Sequence, residues 1–241
     1  MSPENVTIVG INGGIGYELA SRFIRDGCRV QGTYRNNKPD SYLIAELSPW
    51  PNCASPGFYR CDLTNQAHLQ DAAKHLEPWD LIVIASGTML PVAEWQNADP
   101  FRWDEAVRVN ALGPLRLLRY LMPLRRKGAS VCFLAGPNLS KPTPMFSAYR
   151  AGKALLADAV KWLSYETDLN AFMLAPGIVD TAIHEQSSDI RGVYRGEVKT
   201  TPHEDIYDCL RWCLTQPREQ ISGRTVHVVN DPWRAGHLRA A

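Results

Sequence analysis

The sequence predicts an α/β fold, a single doubly wound parallel sheet of about seven strands with helices on both faces. Two observations lead to this fold class. Short apolar, β-branched segments alternate with longer segments of helical periodicity along the whole chain. No repeat, linker or change in composition divides the 241 residues, so residues 1–241 are expected to form one domain.

The elements follow from these patterns in chain order. Val6–Val9 is apolar and β-branched, which is typical of a buried parallel strand, and the glycine-rich turn after it leads into a helical pattern. Further strands are predicted at Arg29–Tyr34, Gly57–Cys61, Asp80–Ala85, Ser130–Ala135, Asn170–Ala175 and Arg224–Val229. Further helices are predicted at Asp40–Leu47, Asn65–Leu76, Pro100–Arg126, Tyr149–Glu166 and Pro202–Gln216.

The predicted helix Pro100–Arg126 is apolar on almost every side, with an interruption near Gly113-Pro114. A helix of this kind is buried on more than one side. We therefore expect a homodimer or homotetramer that assembles through the helices 100–126 and 147–166. The basic run Arg125-Arg126-Lys127 is interpreted as a solvated helix end, where positive charge suits the helix dipole.

Composition excludes several classes of partner. The formal net charge of +1 gives no reason to expect nucleic acid or an anionic membrane surface, and no apolar run is long enough to cross a bilayer. The six cysteines form no CxxC pair and have no accompanying cluster of metal ligands, so no metal is expected. Reduced thiols and the lack of a signal-like N-terminus predict a cytoplasmic protein.

The turn Gly10-Ile11-Asn12-Gly13-Gly14-Ile15-Gly16 lies between the first strand and the first helix. Glycines there permit a tight turn and close backbone approach, and the helix N-terminus offers N–H groups to a pyrophosphate. The pattern favours dinucleotide binding over a plain strand-to-helix turn.

At the end of the second strand, Tyr34 is followed by Arg35 and not by a carboxylate. A guanidinium suits a 2′-phosphate, so NADP(H) is favoured over NAD(H), unless Arg35 is merely a solvated turn residue.

Tyr149 and Lys153 are four residues apart on a predicted helix, so they lie on one face. An ammonium close to a phenol lowers the phenol pKa, which would give a proton donor that works nearer neutral pH. Spacing alone is weak evidence, because Tyr34 and Lys38 are also four apart; that pair precedes Pro39 and is not expected to be helical.

Together, these features resemble the short-chain dehydrogenase/reductase family. Gly10, Gly14 and Gly16 match its glycine fingerprint, Asp62-Leu63 its adenine-binding pair, Asn110 its helix asparagine, and Tyr149 with Lys153 its YxxxK pair. Pro176-Gly177 with Thr181 matches the segment near the nicotinamide. The resemblance implies cofactor contacts at Gly10, Asn12, Gly14, Ile15, Gly16, Tyr34, Arg35, Asp62, Leu63, Ser86, Gly87, Tyr149, Lys153, Pro176, Gly177, Ile178 and Thr181.

The resemblance also implies a reaction and roles for three catalytic residues. Hydride would pass at the nicotinamide C4 edge, while Tyr149 protonates or deprotonates the substrate. Lys153 would hold the nicotinamide ribose and lower the pKa of Tyr149, and Asn110 would hold a water in a proton relay. Residues 182–200 would form a mobile lid over a small-molecule substrate.

The sequence departs from the family pattern in places. The family's catalytic serine lies thirteen residues before the tyrosine, where this chain has Gly136; Ser140 or Asn138 could replace it only if the loop folds inward. Ile84-Ala85-Ser86-Gly87 replaces the family's NNAG stretch, and Val9 replaces a threonine. Two hypotheses follow. One is an NADPH-dependent reductase of a carbonyl or C=N group. The alternative is a catalytically impaired NADP(H)-binding sensor or scaffold.

Overall fold

The computed structural model describes residues 3–37, 57–136, 143–186 and 199–239. Within them, seven parallel strands form one sheet in the order β3-β2-β1-β4-β5-β6-β7. The strands are β1 (Asn5–Val9), β2 (Arg29–Tyr34), β3 (Phe58–Arg60), β4 (Trp79–Ile84), β5 (Arg125–Leu134), β6 (Asn170–Ala175) and β7 (Thr225–His227). The predicted fold class is confirmed.

Helices connect the strands and cover both faces of the sheet. The α-helices are α1 (Gly14–Arg25), α2 (Gln66–His75), α3 (Pro100–Val107), α4 (Gly113–Leu121), α5 (Ser147–Glu166), α6 (Ala182–Glu185), α7 (His203–Thr215) and α8 (Arg218–Ile221). A π-helical turn, Arg108–Leu112, joins α3 to α4. Short 3-10 turns cover Trp95–Asn97, Met122–Leu124 and Trp233–Ala235. The predicted helix Asp40–Leu47 lies outside the described residues.

Two hydrophobic layers hold the helices on the sheet. Because side chains alternate along a strand, Leu81 and Val83 of β4 enter the layer with α1 and α7, whereas Ile82 and Ile84 enter the layer with α2, α4 and α5. Burial on both faces explains why the residues of β4 from Leu81 to Ile84 are apolar without interruption. The sheet thus presents the carboxyl ends of its strands as one edge, called here the carboxyl edge.

The prediction of a helix that runs from Pro100 to Arg126 was wrong at its C-terminal end. Helix α4 ends at Leu121, and β5 already begins at Arg125. Pro123 has no N–H to donate, so it stops the helix. Arg125 then donates to Asp168 Oδ1 from Nε and Nη2, at 3.2 and 3.0 Å. The basic run therefore begins a strand and is not a helix end.

The interruption predicted near Gly113-Pro114 is confirmed: the π-helical turn ends directly before Gly113, and Pro114 occupies the first turn of α4. The apolar character of this region has an explanation within the chain, since Leu117, Leu118 and Leu121 pack into the second hydrophobic layer. Among the described residues, no helix is long and apolar enough to span a membrane.

Candidate active site

One cavity of about 1060 Å³ opens at the carboxyl edge. Its walls come from the segments that follow three central strands: Ser86 and Gly87 after β4, Ala135 and Gly136 after β5, and Pro176 and Gly177 after β6. Tyr149 and Lys153 of α5 also line it, as do Ile15, Ile178 and Thr181. The fold therefore gathers residues from distant parts of the sequence around one space.

The loop between β1 and α1, residues 10–16, is called here the glycine cradle. Side chains at three of its glycines would collide with other parts of the chain. Gly10 has a φ of +85°, and a Cβ there would lie 2.8 Å from the backbone nitrogen of Ser86. A Cβ on Gly16 would lie 2.3 Å from the carbonyl oxygen of Gly10. At Gly14 it would lie 2.6 Å from Cγ2 of Thr181. Side chains at these positions would therefore collide with the chain's own atoms, and the glycines let the loop pack tightly where α1 begins, as in a dinucleotide-binding turn.

Ser86 stands beside this cradle with an unsatisfied hydroxyl. Its Oγ is buried and has no hydrogen-bond partner in the described structure, although the residue lines the cavity. An unpartnered buried polar atom costs free energy, so it marks a place where a bound polar group would be stabilised. The bare cradle and this orphaned hydroxyl together fit a dinucleotide.

A second group of predicted residues meets at the ends of β2 and β3. The Arg35 guanidinium and the Asp62 carboxylate are close enough to interact electrostatically. Burial raises the pKa of Asp62, but hydrogen bonds from Thr64 N and Oγ1 to Oδ1, together with Arg35, outweigh it and lower the pKa. Leu63 is buried beside Asp62, and Tyr34 precedes Arg35 at the end of β2. Asn12 donates from Nδ2 to the carbonyl of Asn37.

Tyr149 lies directly against Gly136. A Cβ built on Gly136 would be 2.9 Å from Tyr149 Oη and 3.0 Å from its Cε1. The phenol thus occupies the space into which a side chain at position 136 would project. Ser140 and Asn138, the expected substitutes for the missing serine, lie outside the described residues.

The expectation that Tyr149 has a lowered pKa is contradicted. Burial raises the pKa of Tyr149 to about 12, and the positive charge of Arg150 offsets only part of that effect. Lys153 does not offset this effect of burial, because its ammonium points toward the backbone. Its Nζ lies 5.8 Å from the Tyr149 ring centroid and donates at 2.7 Å to the carbonyl of Leu134, the last residue of β5. Spacing on the helix brings the pair together, but the ammonium bonds to the backbone.

Lys153 itself is buried, and burial lowers its pKa to about 8. Its charge is held between β4 and β5: besides the Leu134 carbonyl, Gly87 lies so close that a Cβ there would be 3.9 Å from Nζ. The same Cβ would be 3.0 Å from Asn110 Oδ1. Asn110 therefore lies behind the cavity wall, next to Gly87 and Lys153, which line it.

Asn110 cross-links the π-helical turn to the segment after β4. Its Nδ2 donates to the carbonyls of Thr88 and Ala106, at 2.8 and 2.9 Å, and its Oδ1 accepts the Thr88 N–H at 3.1 Å. Both amide hydrogens are thus used by the backbone. Since no side-chain N–H of Asn110 remains, any water that it holds must donate a hydrogen bond to one of its oxygens.

The segment after β6 turns back toward the glycine cradle. Gly177 has a φ of +84°, and a Cβ there would lie 2.7 Å from Thr201 Oγ1, so the turn is closed by a residue beyond the predicted lid. Ile178 is partly exposed, and Thr181 meets Gly14. Of the predicted lid 182–200, residues 182–186 and 199–200 are described. Gln186 accepts the Met89 N–H at 2.8 Å through Oε1.

Among the residues of the cavity wall that sequence reasoning missed are Thr143 and Arg150. Arg150 Nη1 donates to Thr143 Oγ1 at 3.2 Å. Arg150 could have been noticed because it directly follows Tyr149. Nothing in the sequence indicates that Thr143, in a proline-rich loop, folds back onto it.

Comparison with known proteins agrees with this geometry. The family model for short chain dehydrogenase matches residues 4–191. Serine 3-dehydrogenase of Rhizobium radiobacter is 26% identical over 231 residues, with 88% of each chain covered.

Solved structures share the fold at low sequence identity. A short chain dehydrogenase from Shigella flexneri superposes with a TM-score of 0.80 at 19% identity, covering 94% of this chain and 91% of that chain. An actinorhodin polyketide ketoreductase solved with NADPH gives a TM-score of 0.78 at 15% identity, covering 93% and 95%. Since the family model spans most of the sequence, the chain belongs to the short-chain dehydrogenase/reductase family of oxidoreductases.

Proposed function

We propose that this protein is an NADP(H)-dependent oxidoreductase that reduces a carbonyl or C=N group of a small molecule, with Tyr149 as proton donor. The observation that carries the proposal is that Tyr149 and Lys153 line the cavity that Ile15 of the glycine loop also lines, with Asn110 next to Gly87 behind the cavity wall. Helix α5, the π-helical turn and the β1–α1 loop are distant in sequence, so their meeting is a product of the fold.

The cofactor would be held by the residues already placed at the carboxyl edge. The bare backbone at Gly10, Gly14 and Gly16 would receive its phosphates, and Ser86 Oγ would bind a polar group. When bound, a reduced nicotinamide supplies hydride to the substrate. Asp62 with Leu63 would contact the adenine, and Pro176 to Thr181 would contact the other end. The NADPH found in the actinorhodin ketoreductase structure supports the choice of cofactor class.

The raised pKa of Tyr149 suits proton donation. A phenol with a pKa of about 12 keeps its proton at neutral pH, ready for a substrate oxygen or nitrogen that becomes more basic on reduction. Lys153 holds a positive charge below pH 8, anchored by the Leu134 carbonyl. Its ammonium would hold the nicotinamide ribose, as the family resemblance implies. Asn110 fixes the position of the segment after β4 relative to the π-helical turn through its hydrogen bonds with Thr88.

The function is tested by NADPH oxidation against a panel of ketones, aldehydes and dihydropterins. Tyr149→Phe should lower kcat by at least about 100-fold, because the proton donor is removed, while NADPH affinity stays within about twofold. Tyr165→Phe is the matched control, since Tyr165 lies on the same helix and is 86% exposed. Equal turnover by the Tyr149 variant would exclude Tyr149 as donor.

The preference for NADP(H) rests on Arg35, which lies at the end of β2. A guanidinium forms charge-assisted hydrogen bonds with a phosphate, so Arg35→Asp should shift the NADPH-over-NADH ratio of kcat/KM by about 10- to 100-fold toward NADH. Arg29→Asp, at the opposite end of the same strand, should leave the ratio unchanged. An unchanged ratio in the Arg35 variant would rule out the guanidinium as the discriminating group.

The alternative function is an NADP(H)-binding sensor or scaffold without turnover. The observation that favours it is Gly136, which brings no hydroxyl to the substrate side of Tyr149. This alternative predicts tight NADPH binding by calorimetry and no oxidation with any member of the panel. Turnover above the uncatalysed rate with one substrate would exclude it.

We also propose that the protein works as a homo-oligomer in the cytoplasm. Helices α3 and α5 expose large apolar side chains, Phe101, Trp162 and Tyr165, which fit a subunit interface better than solvent. The cysteines in the described ranges are free and buried, in agreement with a reducing compartment. Light scattering should give a dimer or tetramer, and Trp162→Glu should shift it toward the monomer.

A further inference from the structure

The Arg150–Thr143 corner is the part of the cavity wall that the proposed mechanism does not use. Both residues are partly buried and line the cavity, and the guanidinium of Arg150 holds the Thr143 hydroxyl oxygen as an acceptor at 3.2 Å. Thr143 Oγ1 therefore turns its own hydrogen elsewhere. A guanidinium has five N–H donors in a planar fork, so Arg150 can bind Thr143 together with further partners.

The charges on the cavity wall are strongly unbalanced. Among the described residues that line it, the basic side chains are Arg150, Lys153, Lys161, Arg224 and Arg239. The described acidic side chain that lines it is Asp231, and its Oδ2 accepts the backbone N–H of His227 at 2.7 Å, at the far edge of the sheet. An excess of positive charge in a partly enclosed space attracts an anion.

The phosphates of the proposed cofactor do not account for Arg150. The glycine cradle follows β1 and Arg35 follows β2, whereas Tyr149 and Arg150 lie beside Gly136, which follows β5. Three strand spacings separate β2 from β5, which is about 14 Å. Lys153 is also occupied, because its ammonium donates to the Leu134 carbonyl. Arg150 thus lies in the part of the cavity wall next to Tyr149, away from the proposed phosphate sites.

We propose that the Arg150–Thr143 corner binds a carboxylate carried by the substrate, which makes the substrate an oxo acid or imino acid. The inference rests on the proposed function and names its substrate class. A planar guanidinium and an adjacent hydroxyl match the two oxygens of a carboxylate. Because Arg150 and Tyr149 line the same cavity, a carboxylate bound at this corner would share that cavity with the group that is reduced. This second attachment orients the substrate where Gly136 provides no side chain.

The first experiment compares matched substrates. NADPH oxidation is measured with short 2-oxo and 3-oxo acids and with their methyl esters, which keep the ketone and remove the charge. The wild type should prefer the acids by at least about 10-fold in kcat/KM, and Arg150→Met should lose about 10- to 100-fold for the acids, mostly through KM. The esters should change less than about twofold. Esters turned over as well as acids would overturn the inference and leave the proposed function intact.

Variants separate binding from structural damage. Arg150→Lys should recover part of the loss, and Thr143→Val should lose about 10-fold for acids, whereas Thr143→Ser keeps the hydroxyl and stays close to wild type. Lys161→Met is the matched control, because Lys161 also lines the cavity from α5 but lies about 16 Å from Arg150 along the helix. An equal loss in the Lys161 variant would show that bulk charge matters and not this corner.

A binding measurement distinguishes failure of the inference from failure of the proposed function. Acetoacetate is titrated by calorimetry into the protein with NADP⁺, a mixture that permits no reduction. Binding to the wild type with at least about 10-fold weaker binding to Arg150→Met supports the subsite even if the oxidation panel shows no turnover. Absence of binding, or equal binding by the two proteins, overturns it. Tighter binding of a phosphate monoester than of acetoacetate overturns the assignment to a carboxylate.

Discussion

Bare glycines occur at two places around the cavity, and they are bare for different reasons. In the β1–α1 loop, a Cβ on Gly16 would lie 2.3 Å from the carbonyl oxygen of Gly10, so it would meet backbone. After β5, a Cβ on Gly136 would lie 2.9 Å from Tyr149 Oη, the far end of a side chain. Backbone cannot move without the loop changing shape, whereas a phenol can be displaced.

This difference separates a requirement of the fold from a requirement of the chemistry. A side chain at Gly16 would distort the glycine cradle and weaken the binding of any phosphate there. A side chain at Gly136 would leave the sheet intact but would move the group proposed to donate the proton. The sequence shows both positions simply as glycine, and only the contacts tell them apart.

The largest effect is expected at Gly16. Gly16→Ala should weaken NADPH binding by about 100-fold or more and lower the free energy of unfolding by about 1–3 kcal/mol, because the added methyl group overlaps a carbonyl oxygen. Calorimetric titration and urea unfolding measure the two effects. Gly13→Ala is the graded comparison, since its Cβ would lie 3.3 Å from the same carbonyl oxygen, a contact that a shift of a few tenths of an ångström relieves. Equal behaviour of the two variants would contradict the cradle.

Gly136 should behave in the opposite way. Gly136→Ala and Gly136→Ser should each lower kcat about 10-fold, as a modest displacement of a proton donor does, while NADPH affinity and the unfolding midpoint change little. Steady-state kinetics with the best substrate of the panel checks this. A serine variant that turns over faster than the wild type would show that residue 136 simply lacks a hydroxyl and that Tyr149 does not need the space.

The contact between Gly14 and Thr181 tests whether a side-chain obstacle can be relieved within the cradle itself. Gly14→Ala alone should be destabilised, because its Cβ would lie 2.6 Å from Thr181 Cγ2. Thr181→Ser removes that methyl group, so the double variant should recover about 1 kcal/mol in a double-mutant cycle. Urea unfolding of the four proteins gives the coupling. Purely additive effects would show that the strain at Gly14 comes from its backbone.

A pH effect should belong to the Tyr149 side of the cavity. The pKa of Lys153 is about 8 in the folded chain, below the ordinary 10.5, so the folded chain binds fewer protons between these values and the free energy of unfolding rises with pH. From pH 8 to pH 9 the gain should be about 1 kcal/mol relative to Lys153→Met. The raised pKa values of the Cys28 and Cys61 thiols also make the free energy of unfolding depend on pH, but they do so in both proteins, so their contribution cancels in the comparison. Parallel curves for the two proteins would contradict the low pKa.

How far the sequence leads depends on whether a feature is local. The strand Asn170–Ala175 was predicted residue for residue, because its apolar pattern and the following Pro176-Gly177 are local. The strand position of Arg125 was not, because its partner Asp168 is distant in sequence. Likewise, helical spacing predicts that Tyr149 and Lys153 are neighbours. It contains no information on burial or on the Leu134 carbonyl, which together set the pKa values.

Gln186 extends these contacts into a chain of hydrogen bonds. Its Oε1 accepts from the Met89 N–H and the Thr88 hydroxyl, and Thr88 in turn exchanges hydrogen bonds with Asn110. The C-terminal end of α6 is therefore fastened to the π-helical turn through a single residue. The Met89 amide can exchange with solvent only when its hydrogen bond to Gln186 breaks. The deuterium uptake of this amide would therefore report how often this side of the cavity opens, without any substrate.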